Sequence, residues 1–164
     1  TRSKMPTLVS KYLVQFEREG ESVTRTNDAI FKRPLLATDW SGPSKRALEL
    51  LISLKGLIEK AFVCHTIGVK IAKSIDKTEL HRIEKESKER LEKYCEQLKS
   101  AGISAEPHLG AGRTIMEIIR ISRDVNASMI IAGTTGKDRL HELFLGSVSH
   151  RIAGMSELPT LLVP

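Results

Sequence analysis

Continuous apolar runs alternate along the chain with longer stretches in which apolar positions recur every three or four residues, a pattern of strands followed by helices. The first run, Pro34-Leu35-Leu36-Ala37-Thr38-Asp39, is apolar until the turn formers Trp40-Ser41-Gly42-Pro43 end it, as expected of a buried parallel strand. From residue 44 to about residue 60, Ala47, Leu48, Leu51 and Leu54 share a helical face, with Ser41 or Ser44 available as N-cap. Ala61-Phe62-Val63-Cys64-His65-Thr66-Ile67 is a second strand, stopped by Gly68. Leu80, Ile83, Ser87, Leu91, Tyr94 and Leu98 then mark the buried stripe of a long helix. Its other faces carry Lys, Glu and Arg, with Glu84/Lys88 and Glu89/Lys93 four residues apart, and Gly102 is placed to end it.

Residues 103–109 alternate in polarity, which suits a third strand at a sheet edge closed by Gly110 and Gly112. Thr114-x-x-Glu117 matches a capping box ahead of Ile115, Ile118, Ile119 and Ile121, predicting a helix to about residue 124. Residues 128–132, apolar after Ser128, read as a central fourth strand. Residues 133–145 read as a loop with short helical potential, Gly146-Ser147 opens a helix to about residue 154, and Thr160-Leu161-Leu162-Val163 is the last strand. Strands alternating with helices imply an α/β fold: a doubly wound five-stranded parallel sheet, order 3-2-1-4-5 counted from Pro34, with helices on both faces.

The start of the chain repeats its end: Met5-Pro6-Thr7-Leu8-Val9 resembles Leu158-Pro159-Thr160-Leu161-Leu162-Val163. Residues 1–13 therefore read as a stray terminal strand, with a preceding repeat as its expected source. A lone strand cannot satisfy its backbone or bury a face, and the edge strand 160–163 is its natural partner. Residues 14–33 are polar, charged and without sustained periodicity, as in a linker, which leaves 34–164 as the domain.

Composition narrows the function. With 164 residues, 40% hydrophobic and 28% charged, the chain suits one globular domain, with no room for a second. A net charge of +6 favours an anionic partner, but aromatics are only 4% and scattered, so nucleic acid is not the expected one. Cys64 and Cys95 have no metal or redox-motif spacing and read as reduced thiols. The histidines form no ligand pattern, and no Ser-His-Asp set, paired carboxylates or nucleophile elbow is visible. No apolar run approaches a membrane span and no signal segment opens the chain, so a cytoplasmic location is expected.

Open α/β sheets bind ligands beyond the carboxyl ends of their strands, where successive crossovers diverge to opposite faces. In the order above, Asp39 and Gly133 end neighbouring strands at that point. Asp39 is placed to accept hydrogen bonds from a sugar or base, and the Gly133–Gly136 turn to bring backbone N–H groups to phosphate. Gly146-Ser147 adds a helix N-terminus and a hydroxyl, and Lys137, Arg139 and His141 add positive charge in the loop. Ile131 and Asp138 stand where a Walker A loop needs Gly and Ser or Thr, and Ile115 where a dinucleotide fingerprint needs its third glycine.

Gly133-x-x-Gly136, nine residues, then Gly146-Ser147 resembles the glycine pattern of nucleotide-binding universal stress proteins. The likeness spans Pro34–Pro164 and includes Asp39-Trp40-Ser41, a second strand closing on His65, Gly112 before the third helix, and the closing Leu158–Val163. It implies an adenine nucleotide alpha hydrolase-like fold binding ATP or another adenine nucleotide, with Mg as a companion ion. Asp39 and the backbone near Ile67 would meet adenosine. Gly133, Gly136, Gly146 and Ser147, with Arg139 and Val148, would hold ribose and phosphates. It further implies a homodimer or tandem-domain pairing through Thr160, Leu161, Leu162 and Val163, and a stress-response regulatory or sensor role toward a protein partner.

Three positions depart from the family. Trp40 replaces a small residue and narrows the adenine pocket, Thr135 replaces an Arg or His, and Gly112-Arg113-Thr114 lacks an Asp-Pro pair. Two alternatives stay open: an interaction module with an empty pocket, and an ATPase limited to weak hydrolysis, since no water-orienting base or arginine finger is evident.

Overall fold

The computed structural model describes residues 5–10, 29–134 and 147–164, the side chain of Ser147 excepted. In chain order the elements are β1 (Thr7–Val9), β2 (Pro34–Ala37), α1 (Gly42–Ser53), a 3-10 turn (Lys55–Leu57), β3 (Ala61–Gly68), α2 (Val69–Ser74) and α3 (Lys77–Ser100). There follow β4 (Ala105–Gly112), α4 (Thr114–Asp124), β5 (Met129–Gly133), α5 (Ser147–Met155) and β6 (Thr160–Val163).

One sheet takes the order β1-β6-β5-β2-β3-β4. Its five parallel strands, β2 to β6, stand in the expected 3-2-1-4-5 arrangement. The sheet has a sixth member, however: β1 pairs antiparallel with β6, Leu8 opposite Leu161. The count of five leaves it out, although its partner is the one expected, residues 160–163; with Thr7 and Leu8 exposed it adds little to the core.

Period-two alternation divides the core between the two faces. Leu36, Val63 and Ile131 point to one side, where they pack with Ala47, Leu51, Leu91 and Leu98 of α1 and α3. Leu35, Phe62 and Ile130 point to the other, against Ile118 and Ile121 of α4 and Ile152 of α5. The crossover leaving β2 thus covers one face and that leaving β5 the opposite one. The switch point falls between β2 and β5.

Local chemistry sets the helix boundaries. Ser41 caps α1 and Asp76 caps α3, the latter accepting from Glu79 N at 2.8 Å. Gly102, at φ +89°, ends α3 in a Schellman turn: its N–H donates to Lys99 O and that of Ile103 to Leu98 O, both at 2.9 Å. Ile103 then packs into the same core cluster as Leu98. Asn126, at φ +50°, ends α4 in the same way. Arg33 adds a clasp from outside, donating to Val125 O at 2.6 Å and Asn126 O at 3.1 Å. Residues at the carboxyl end of the proposed linker are thus tied to the domain, as are Lys32, whose carbonyl accepts from Glu59 N, and Ile30, whose carbonyl accepts from Ser128 Oγ.

Other expectations are corrected. Helix α1 stops at Ser53, because the 3-10 turn redirects the chain into β3. Strand β4 begins at Ala105 and runs through both glycines, since eight successive pairs with β3, from Ala61↔Ala105 to Gly68↔Gly112, outweigh their low strand preference. The Thr114–Glu117 capping box does not form: Arg113 is the N-cap, and the Glu117 carboxylate turns to Arg120 at 2.8 Å. Helix α2 was not foreseen.

Candidate functional site

The site is built at the carboxyl end of β2. Thr38 leaves the strand with its N–H on Cys64 O, and the chain then turns sharply through Asp39, Trp40 and Ser41. Asp39 Oδ1 accepts from Ser44 Oγ at 2.6 Å and from Ser41 N at 3.0 Å, while Asp39 N donates to Ser44 Oγ at 3.3 Å. Burial opposes the charge of Asp39, but the Ser41 and Ser44 hydrogen bonds prevail and hold its carboxyl below the usual range. Among the described residues the two bonds to the carboxylate use Oδ1, which leaves Oδ2 as the acceptor for a ligand.

Beside Asp39 lies a cavity of about 310 Å³ walled by Trp40, by His65, Thr66 and Ile67 of β3, by Ile71 of α2, and by Ile83, Glu86, Ser87 and Arg90 of α3. His65 is oriented from behind: its Nδ1 lies 2.8 Å from Thr38 O, which can only accept, so that nitrogen carries the proton. Trp40 stands 4.8 Å from the His65 ring and edge-on to Tyr94 at 5.3 Å. Asp39 and Ile67, two of the residues expected at adenosine, therefore face one cavity.

Gly133 ends β5, the strand next to β2. It does not line the cavity, and packing gives a reason of its own for glycine there. A Cβ at Gly133 would sit 2.8 Å from Pro43 Cβ and 2.9 Å from Ser44 N, so the missing side chain lets α1 dock on the sheet. Ser147 opens α5, and Val148 beside it is 39% exposed. Gly136, Arg139 and Gly146, with Thr135, Lys137 and His141, lie outside the described residues. Thr160, Leu161, Leu162 and Val163 are buried in β6 between β5 and β1.

The wall from α3 was not read from the sequence. Its one signal was Ser87, a small polar residue in an otherwise apolar stripe, where the helix passes beyond the strand ends. Cys64 and Cys95 are both free and buried, and burial pushes their thiols up to about 12 and about 11. Among the described residues no cluster could hold a metal ion, and no helix is long and apolar enough to cross a membrane.

A doubly wound sheet with a cavity at the carboxyl ends of β2 and β3 places the chain among the open α/β proteins, a class whose ligand sites lie beyond the strand ends. The chain belongs to the universal stress protein family, whose family model matches residues 31–164. It is 26% identical over 154 residues to universal stress protein MJ0577 of Methanocaldococcus jannaschii, covering 82% of this chain and 95% of that one. The solved structure of MJ0577 superimposes with a TM-score of 0.74, at 29% identity, over 82% of this chain and 96% of its own. Two other solved universal stress proteins share the fold at 19% identity. One is a complex with cAMP (TM-score 0.63, 81% of this chain and 97% of its own), the other an Archaeoglobus fulgidus complex with dAMP (TM-score 0.60, 82% and 99%).

Proposed function

We propose that the protein binds an adenine nucleotide, ATP in the first instance, and acts as a regulatory or sensor module in a stress response. The observation that carries this reading is the cavity at the β2 end, where an ionised, pre-oriented Asp39 and the β3 segment at Ile67 face the same space. A carboxylate whose Oδ1 is already held fast suits a ribose diol, and an apolar wall beside it suits a base. The cAMP and dAMP complexes of the two similar structures support the ligand class. In this reading phosphates extend toward the glycine pattern and the start of α5, with Gly136, Arg139, Gly146, Ser147 and Val148 as their holders, and Mg accompanies them.

The test is direct. Protein purified under native conditions is denatured, the released small molecules are identified by mass spectrometry, and the unfolding temperature is followed as ATP is added. The expected result is a released or stabilising adenine nucleotide whose effect is lost in Asp39→Ala. Absence of both nucleotide and thermal shift overturns the reading.

A further inference from the structure

The cavity wall carries the chain's one tryptophan, in a backbone conformation that bulky residues rarely adopt. Trp40 has φ +66°, in the left-handed region where a β-carbon crowds the backbone. The turn is locked from both sides: Trp40 N donates to Thr38 Oγ1 at 3.1 Å, and Ser41 N to Asp39 Oδ1 at 3.0 Å. An extended residue at 40 would send its side chain elsewhere. This conformation instead sets the indole against His65 and Tyr94, on the cavity wall next to Asp39. Strain of this kind persists where surrounding contacts over-determine it, and it clusters at ligand sites.

Arg90 supplies the second half of the argument. Its guanidinium carbon lies 5.1 Å from the centre of the indole, in cation–π contact. Among the described residues it makes no ion pair, and the nearby Glu86 is already engaged by Arg82. The cavity is thus bordered by a fixed aromatic plane and a planar cation resting on it. Both groups stack on nucleobases.

We propose that Trp40 and Arg90 form a stacking clamp in which the base of the ligand lies between indole and guanidinium, so that Trp40 selects ligands bearing a flat heteroaromatic ring. The clamp rests on the nucleotide reading above and adds to it the residues that recognise the base. Two stacking contacts of about 3.5 Å require about 7 Å between the flanking planes. Arg90, on an exposed stem, moves outward by about 2 Å from its present 5.1 Å while the indole, fixed by the turn, stays. Asp39, one residue away, then meets the sugar attached to that base.

Emission excited in the indole band beyond tyrosine absorption reports on position 40 alone, because no other tryptophan is present. ATP and inorganic tripolyphosphate, which lacks a base, are titrated separately, and ATP binding to each variant is measured by equilibrium dialysis. The clamp predicts that ATP changes Trp40 emission saturably and tripolyphosphate does not. Trp40→Ala weakens ATP binding about ten- to hundred-fold, Trp40→Phe restores most of it, and Arg90→Ala costs several-fold. Unchanged emission while dialysis shows ATP bound overturns the clamp and leaves the nucleotide reading standing. So does a Trp40→Ala chain that binds ATP as well as or better than the parent, since the indole is then an obstruction. If neither the parent nor Trp40→Ala retains ATP, both readings fall. Trp40→Phe, folded by circular dichroism, guards against mistaking lost structure for a lost contact.

Discussion

Between β5 and the start of α1 there is no room for a methyl group. Gly133 faces the backbone of Pro43 and Ser44 at separations that no β-carbon sustains, and neither neighbour can move without moving the helix. Gly133→Ala is expected to destabilise the fold by roughly 1–3 kcal/mol, read from chemical denaturation midpoints at unchanged slope. The same crowding links two parts of the site: Ser44, pressed by Gly133, is the residue whose hydroxyl holds Asp39 at 2.6 Å. A change at the first glycine of the pattern therefore reaches the carboxylate end. Asp39 also carries a pH dependence whose sign is set by its environment. Folding lowers its pKa below the ordinary 3.8, so its ionised form stabilises the fold above that pH, and the contribution disappears as pH falls through the folded-state value. Stability measured from about pH 6 down to about pH 2 should fall less steeply in Asp39→Asn than in the parent, the exposed carboxylates contributing alike to both.

At the scale of elements, the parallel strands and the long helix α3 were legible because burial wrote them into the residue types. The run 34–37 and the stripe Leu91–Leu98 admit no other placement of their apolar faces. What was not legible depends on groups distant in sequence. Strand β4 extends through Gly110 and Gly112 because β3 is beside it, which no local propensity states. The cavity wall at Arg90 and Ser87 needed the sheet as well as the helix before it had a meaning. Asp39 could be placed at a strand end from the sequence and shares its cavity with Ile67, whereas the packing need for glycine at 133 was invisible without Pro43 and Ser44 around it. Arg33 is a further case: it sits in a stretch without periodicity, yet its fork satisfies two carbonyls at the end of α4 and lies over Phe62 at 5.0 Å. Arg33→Ala is expected to cost about 1 kcal/mol, with Arg33→Lys recovering only part of it because an ammonium lacks the paired donors. Thermal unfolding of the two variants side by side checks both statements.

The whole molecule is a sheet with one finished edge and one borrowed one. At β4 the edge carries Pro107, which has no N–H to offer a further strand. At the other side β6 is wholly buried, with β1, three residues long, lying along its outer edge. Leu8→Pro with Val9→Pro removes two successive N–H groups, one of which faces β6. The doubly substituted chain is expected to form dimers by sedimentation velocity at concentrations where the parent does not, since the ladder donors and acceptors of β6 seek a replacement. The chemistry that pairs β1 with β6 is the same that would pair β6 with a second molecule, yet the competitors start unequal. Covalent attachment gives β1 an effective concentration on the order of millimolar, so a free partner has to exceed that level, or bring better contacts, to take its place.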